Sequence, residues 1–225
     1  MGWLPDQFFI GHPDATSSPD RPLGQGDVIA DVPIVTRAAK RGGEVGLKTT
    51  LSLAIVVASS CGMRKDGGEL NSVVHVAPVK RLASLAPGWS EPWDGHLNVL
   101  PLPGIHSDED GSPMAADLAR IGLCDRTALQ VAARRASVSL EGMQVLKWRL
   151  ATYFARAPLE PSLFDVAATV EWNELELWQQ WKARHGDFDG FQLWLSQENQ
   201  RFPGQSRRDT VYDDFDGLSA EIEQA

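Results

Sequence analysis

The chain has 225 residues and a mass of 24.6 kDa, enough for one large domain or two small ones with a sizeable core. It is 43% hydrophobic and 23% charged, which excludes a wholly disordered chain, a collagen and a coiled-coil rod. A net charge of -9 excludes a uniformly basic nucleic-acid binder and leaves room for a local basic patch.

Residues 1–25 are rich in Pro, Asp, Ser and Gly and read as an N-terminal arm, with Trp3, Phe8 and Phe9 available to pin it. The opening MGWLPDQFF has no basic start and no continuous apolar run, so no signal peptide is expected there. No stretch approaches the roughly 18 apolar residues of a membrane span. The two cysteines, Cys61 and Cys124, make no disulfide framework. A cytoplasmic protein with reduced thiols is the expectation.

Residues 26–105 read as a β-barrel domain. Gly26-Asp27 is a turn, and Val28, Ala30 and Val32 alternate along the strand that follows. Pro33 predicts that this strand ends, bends or lies at an edge. Leu51 to Ala58 is a β-branched apolar run suited to a strand covered on both faces. Asp66-Gly67-Gly68 is a turn, and Val73 to Val79 is the next strand, expected to stop near Pro78. Leu97 to Leu102 adds one more. Short loops between sequential strands favour antiparallel pairing and a small barrel.

Residues 112–200 read as a helical region. Ser112 and Pro113 suit a helix start, and Asp125 to Ala136 a second helix. Ser139 to Ala157 is the clearest helix, with Ser139 as cap and Leu140, Met143, Leu146, Leu150 and Phe154 at helical spacing. Glu171 to Arg184 follows, stopped by His185-Gly186, and Asp189 to Asn199 is a short third. Residues 201–225 hold three arginines against six acids and read as a flexible acidic tail.

Charge is unevenly spread. Within 26–85, Arg37, Lys40, Arg41, Lys48, Arg64, Lys65, Lys80 and Arg81 outnumber Asp27, Asp31, Glu44, Asp66 and Glu69. Loops on one rim of a barrel are close in space, so these eight cations form a candidate nucleic-acid-binding patch that would hold phosphates.

Three other constellations carry less. Cys61, between Ser60 and Gly62 after a buried strand, would need an activating base such as His75; a structural thiol is the expectation. His96, His106 and Asp108-Glu109-Asp110 lie in a Pro/Gly-rich stretch, where a metal lacks a rigid cage, and a solvated acidic loop is expected. The glycines make no phosphate-loop fingerprint, so no cofactor is assigned. Trp172, Trp178, Trp181 and Trp194 fall at helical spacings that suit core packing. Trp181 sits off the main stripe and is the candidate partner-binding anchor.

Three segments in order carry a family resemblance: Gly26-Asp27-Val28-Ile29, Leu53-Ala54-Ile55-Val56-Val57-Ala58-Ser59 and Val73-Val74-His75-Val76-Ala77-Pro78-Val79. Over residues 26–85 this resembles the MazF/PemK/Kid-like toxin barrel. The resemblance implies an SH3-like antiparallel β-barrel; with the helical region after it, the chain reads as α+β with a C-terminal helical half. The family's Arg-Pro before the buried strand is replaced by Lys48-Thr49-Thr50-Leu51, and its Thr-Ser after Pro-Leu by Lys80-Arg81. The resemblance therefore implies a degenerate, non-catalytic module that binds RNA or DNA backbone in a defence or regulatory complex. Were it an endoribonuclease, Lys48, His75 and Lys80 would be the catalytic candidates, with Arg81 beside them. The alternative is a protein-interaction adaptor or assembly component, viral ones included, that binds a protein partner through the Trp-rich helices and acidic tail.

Overall fold

The computed structural model describes residues 8–10, 22–39, 45–60, 62–65, 69–87, 96–156 and 159–224. Their β-branched, alternating segments form strands β1 (Asp27–Ala39), β2 (Val45–Val56) and β3 (Val73–Arg81), followed by a single turn of helix, α1 (Leu82–Leu85). Next come β4 (Val99–His106), β5 (Pro113–Asp117), β6 (Gly122–Asp125), α2 (Arg126–Val131) and β7 (Arg134–Ser137). The chain ends in α3 (Leu140–Ala155), α4 (Asp165–Arg184), α5 (Phe188–Ser196) and α6 (Phe215–Gln224). The protein is α+β, with an antiparallel sheet in its first half and helices in its second.

The sheet runs β2-β1-β6-β3-β5-β4, with β7 beside β1 and β2 also paired to β3. The link between β1 and β6 is one register pair, Val35 opposite Leu123. β1 does bend: Asp31 takes a φ of 52° and the register slips between Ile29 and Val32, after which the strand continues through Pro33. β3 likewise passes through Pro78 and does not stop there. Ala77 and Pro78 are the stretch where β3 changes partner from β6 to β5, which gives a residue without an N–H a place inside a sheet.

Alternation sorts the strand residues onto two faces. Ile29, Val32, Ile34, Ala54, Val56, Val74, Val76 and Cys124 bury one face with Met63, Leu70 and Leu129. Burial pushes the Cys124 thiol up to about 11, and Asp125 adds to the effect, so this cysteine is an inert core group. Val28, Ile55, Ala77, Val79, Leu100 and Leu102 form the other face, covered by Met143, Val145 and Leu146 of α3 and Leu175 of α4. A third cluster joins α4, α5 and α6 through Leu177, Trp178, Phe191, Trp194, Leu218 and Ile222.

Two boundaries differ from the sequence pattern. The region 112–200 is not all helical, because β5, β6 and β7 lie within it. Pro113 opens a strand whose Ala115 and Ala116 are buried between β3 and β4, so non-local pairing overrides the local helix signal. Gly122 lies where β6 crosses β1: a Cβ there would come within 2.5 Å of the Val35 carbonyl oxygen. The segment 201–224 is not a flexible tail. Val211, Leu218 and Ile222 are fully buried, and α6 packs on α4. Two of its acids are paired with arginines of the same segment: Arg201 reaches Asp214 at 2.8 Å and Glu221 at 2.9 Å, and Arg207 reaches Glu221 at 2.7 Å.

Helix α3 follows its sequence signals. Ser139 Oγ accepts from the Gly142 N–H at 3.1 Å, and the helix ends at Ala155. Helix α4 starts six residues earlier than its apolar stripe suggests and stops at Arg184.

Candidate functional site

Where the two halves meet there is a cleft of about 500 Å³. Ligand pockets are commonly of this size. One wall is the chain after β2, with Ser60, Arg64 and Lys65. Met63 anchors that turn by burying itself in the sheet core. The other wall comes from α4, where Ala167, Val170, Glu171, Glu174, Leu175 and Trp178 share one face by their three- and four-residue spacing. Lys147 of α3, Phe188, Phe191 and Gln192 of α5, and Arg208 complete the lining.

The floor is aromatic. Trp178 meets Phe188 edge-to-face at 4.9 Å and Phe191 at 5.4 Å. Around it, charged groups are held by named partners. Lys147 Nζ lies 2.9 Å from Glu171 Oε2, with side-chain exposures of 16% and 9%. The Ser60 N–H donates to the other Glu171 oxygen, so one carboxylate ties α3, α4 and the sheet loop together. Arg208 sits 3.8 Å from Glu174 Oε1 and donates to Gln192 Oε1. Arg64 donates to the Leu23 carbonyl at 2.7 Å and lies 5.8 Å from the Phe188 ring centroid.

Burial perturbs two of these groups. It pushes Arg64 down to about 10, with Asp27 opposing and Arg134 reinforcing the effect, so the guanidinium stays charged at neutral pH. It raises the Glu174 carboxyl above its ordinary range, only partly offset by Arg208 and assisted by the neighbouring Glu171. The cleft therefore combines an apolar floor, four cations and two carboxylates, one of them raised by burial.

The eight cations of the sequence-derived patch do not converge. Lys40 and Arg41 lie outside the described residues. Arg37 is opposite Leu47 and Lys48 opposite Thr36, so alternation points these two cations to opposite faces of the β1–β2 ribbon. Arg64 and Lys65 line the cleft. Lys80 pairs with Asp117 at 3.0 Å, and Arg81 pairs with Glu109 and Asp110 of the acidic loop. The three catalytic candidates are also kept apart. His75 is exposed on β3, opposite Leu123. Lys80 is five positions along the same strand, hence on the opposite face and roughly 16 Å away. Lys48 belongs to the β1–β2 ribbon. Cys61 lies outside the described residues, so the Cys61–His75 pair has no geometry to report.

Trp181 is half-buried in the third cluster, 5.5 Å from Trp194 and 4.1 Å from the His185 ring. Trp178 and Trp181 both join that cluster because α5 and α6 cover a wider face of α4 than one stripe. The acidic loop is braced by Arg81 and, through Asp108 at 3.3 Å, by Arg135. Among the described residues no group of three or more His, Cys, Asp or Glu is placed to hold a metal, and no helix is long and apolar enough to cross a membrane.

Glu171, Glu174, Lys147, Phe188, Phe191 and Arg208 were not singled out from the sequence as site residues. The only signal was the shared face of α4, where acids and Trp178 alternate with apolar positions; what that face looks onto depends on the tertiary fold. No family model matches the chain, and no curated protein or solved structure matches it significantly.

Proposed function

We propose that the protein is a binding module whose cleft takes a small anionic ligand with a flat apolar body. The carrying observation is the placement of Arg64, Lys65, Lys147 and Arg208 around a floor of Trp178, Phe188 and Phe191. An aromatic body would lie on that floor, and its acidic group would be held by the guanidinium and ammonium groups.

The test is a thermal-shift panel of aromatic carboxylates and nucleoside monophosphates, each run beside a neutral counterpart. A ligand at a hundred times its Kd stabilises by about 2.7 kcal/mol, readily seen as a rise in Tm. Stabilisation by acids and not by their neutral counterparts, lost in Arg64→Met, supports the proposal. Equal response to both members of each pair, or response to neither, overturns it.

RNA or DNA backbone, as the toxin-barrel resemblance implies, is the second ligand class. It is favoured by Arg37, Lys48 and Lys65, which are exposed. Binding of single-stranded RNA or duplex DNA that falls steeply with salt, and that Arg37→Ala with Lys48→Ala weakens, would support this class over the small anion.

A further inference from the structure

We infer that the protein self-associates through the open edge of β2, two copies pairing antiparallel about Thr49. β2 pairs with β1 along its length and with β3 only from Ala54 onward. Ser52 Oγ reaches the Val79 carbonyl at 3.3 Å, so the edge closes there. Between these limits Leu47, Lys48, Thr49, Thr50 and Leu51 are all exposed. Among the described residues this stretch is a strand edge with no second neighbour. A row of backbone donors and acceptors of this kind is a template for another strand.

The side chains suit a second copy. Leu47 is 79% exposed and Leu51 67% exposed, high values for leucines, and both lie on the sheet face that α3 covers farther along. A two-fold axis between antiparallel strands must pass through a residue, so that residues whose N–H and C=O point outward meet one another. An axis through Lys48 would set Lys48 against its own copy, a like-charge pair. An axis through Thr49, the midpoint of the open stretch, sets Leu47 against Leu51 twice, Lys48 against Thr50 twice and Thr49 against itself. Each exposed leucine then gains an apolar cross-strand neighbour, and each lysine a neutral one. Five residue pairs make a small contact, so the dimer is weak and concentration-dependent.

Sedimentation equilibrium on the full chain over a wide concentration range tests this. The expected result is a mass rising from 24.6 kDa toward twice that value. Leu47→Lys with Leu51→Lys keeps the native circular dichroism, since both side chains are exposed, and loses the dimer. Register is read by disulfide trapping in a Cys61→Ser background. An equimolar mixture of Leu47→Cys and Leu51→Cys chains cross-links at least about tenfold faster than either alone, because only opposed positions lie within disulfide reach. A wild-type chain that stays monomeric throughout, a dimer indifferent to the double lysine change, or Leu47→Cys cross-linking by itself as fast as the mixture would each overturn the inference.

Discussion

Lys147→Met tests whether the cleft is held together by the carboxylate at its centre. Lys147 and Glu171 sit 2.9 Å apart with exposures of 16% and 9%, so Glu171 is close to fully desolvated. Removing one partner of a buried pair typically costs about 3–5 kcal/mol, because the remaining charge is left uncompensated. Two features reduce that figure: the Ser60 N–H still donates to Glu171, and Lys147 keeps some solvent contact. A cost of about 2–3 kcal/mol is therefore expected, worth roughly 5–10 °C in Tm for a chain of this size. Glu171→Gln should cost less, about 1–2 kcal/mol, since an amide oxygen still accepts from Ser60 and no unpaired anion remains. The double variant should be more stable than the sum of the two costs predicts, by about 1–2 kcal/mol. Urea unfolding of the wild type, both single variants and the double variant measures all of these. Lys147→Met within about 0.5 kcal/mol of wild type, or strict additivity in the cycle, would refute the view that this ion pair braces the cleft.

Glu174 sets a pH dependence. Its folded carboxyl is raised by burial, so the stability it contributes is present below the ordinary Glu value and is lost as pH rises through the elevated one. Glu174→Gln should flatten that decline in urea midpoint against pH and hold acid-ligand affinity constant over the same window. Gly26 carries a φ of 85°, and a Cβ there would come within 2.1 Å of Val138 Cγ2. Gly26→Ala should cost about 2–4 kcal/mol by chemical denaturation, and a neutral outcome would mean that the turn before β1 is not held as described. Leu218→Ala and Ile222→Ala should each cost about 2–4 kcal/mol, as buried positions do. Values near zero would return the C-terminal segment to the status of a loose tail.

Much of the local structure is legible in the residues. The alternation in Val73–Val76 places Val74 and Val76 in the core and His75 outside, as a period of two requires. Ser139 caps its helix because a hydroxyl before an apolar stripe can satisfy a free N–H of the first turn. The α+β division follows from the same local patterns. Structure that depends on distant partners is not legible in this way. The strand at Pro113 exists because β3 and β4 offer it partners, and the fold of 201–224 exists because α4 and α5 present an apolar surface to Leu218 and Ile222.

The site shows the same division. Its acidic residues and Trp178 are visible as a face of α4, and Arg64 and Lys65 as a charged turn after β2. That these two meet, and that Lys80 and Arg81 are instead paired to Asp117, Glu109 and Asp110, follows from contacts between residues far apart in the chain. By itself the sequence determined periodicity, caps and the sign of local charge, because these act over a few residues. Only the tertiary structure decided which charges are neutralised and which line a cavity, because burial and pairing depend on neighbours that local chain order does not specify.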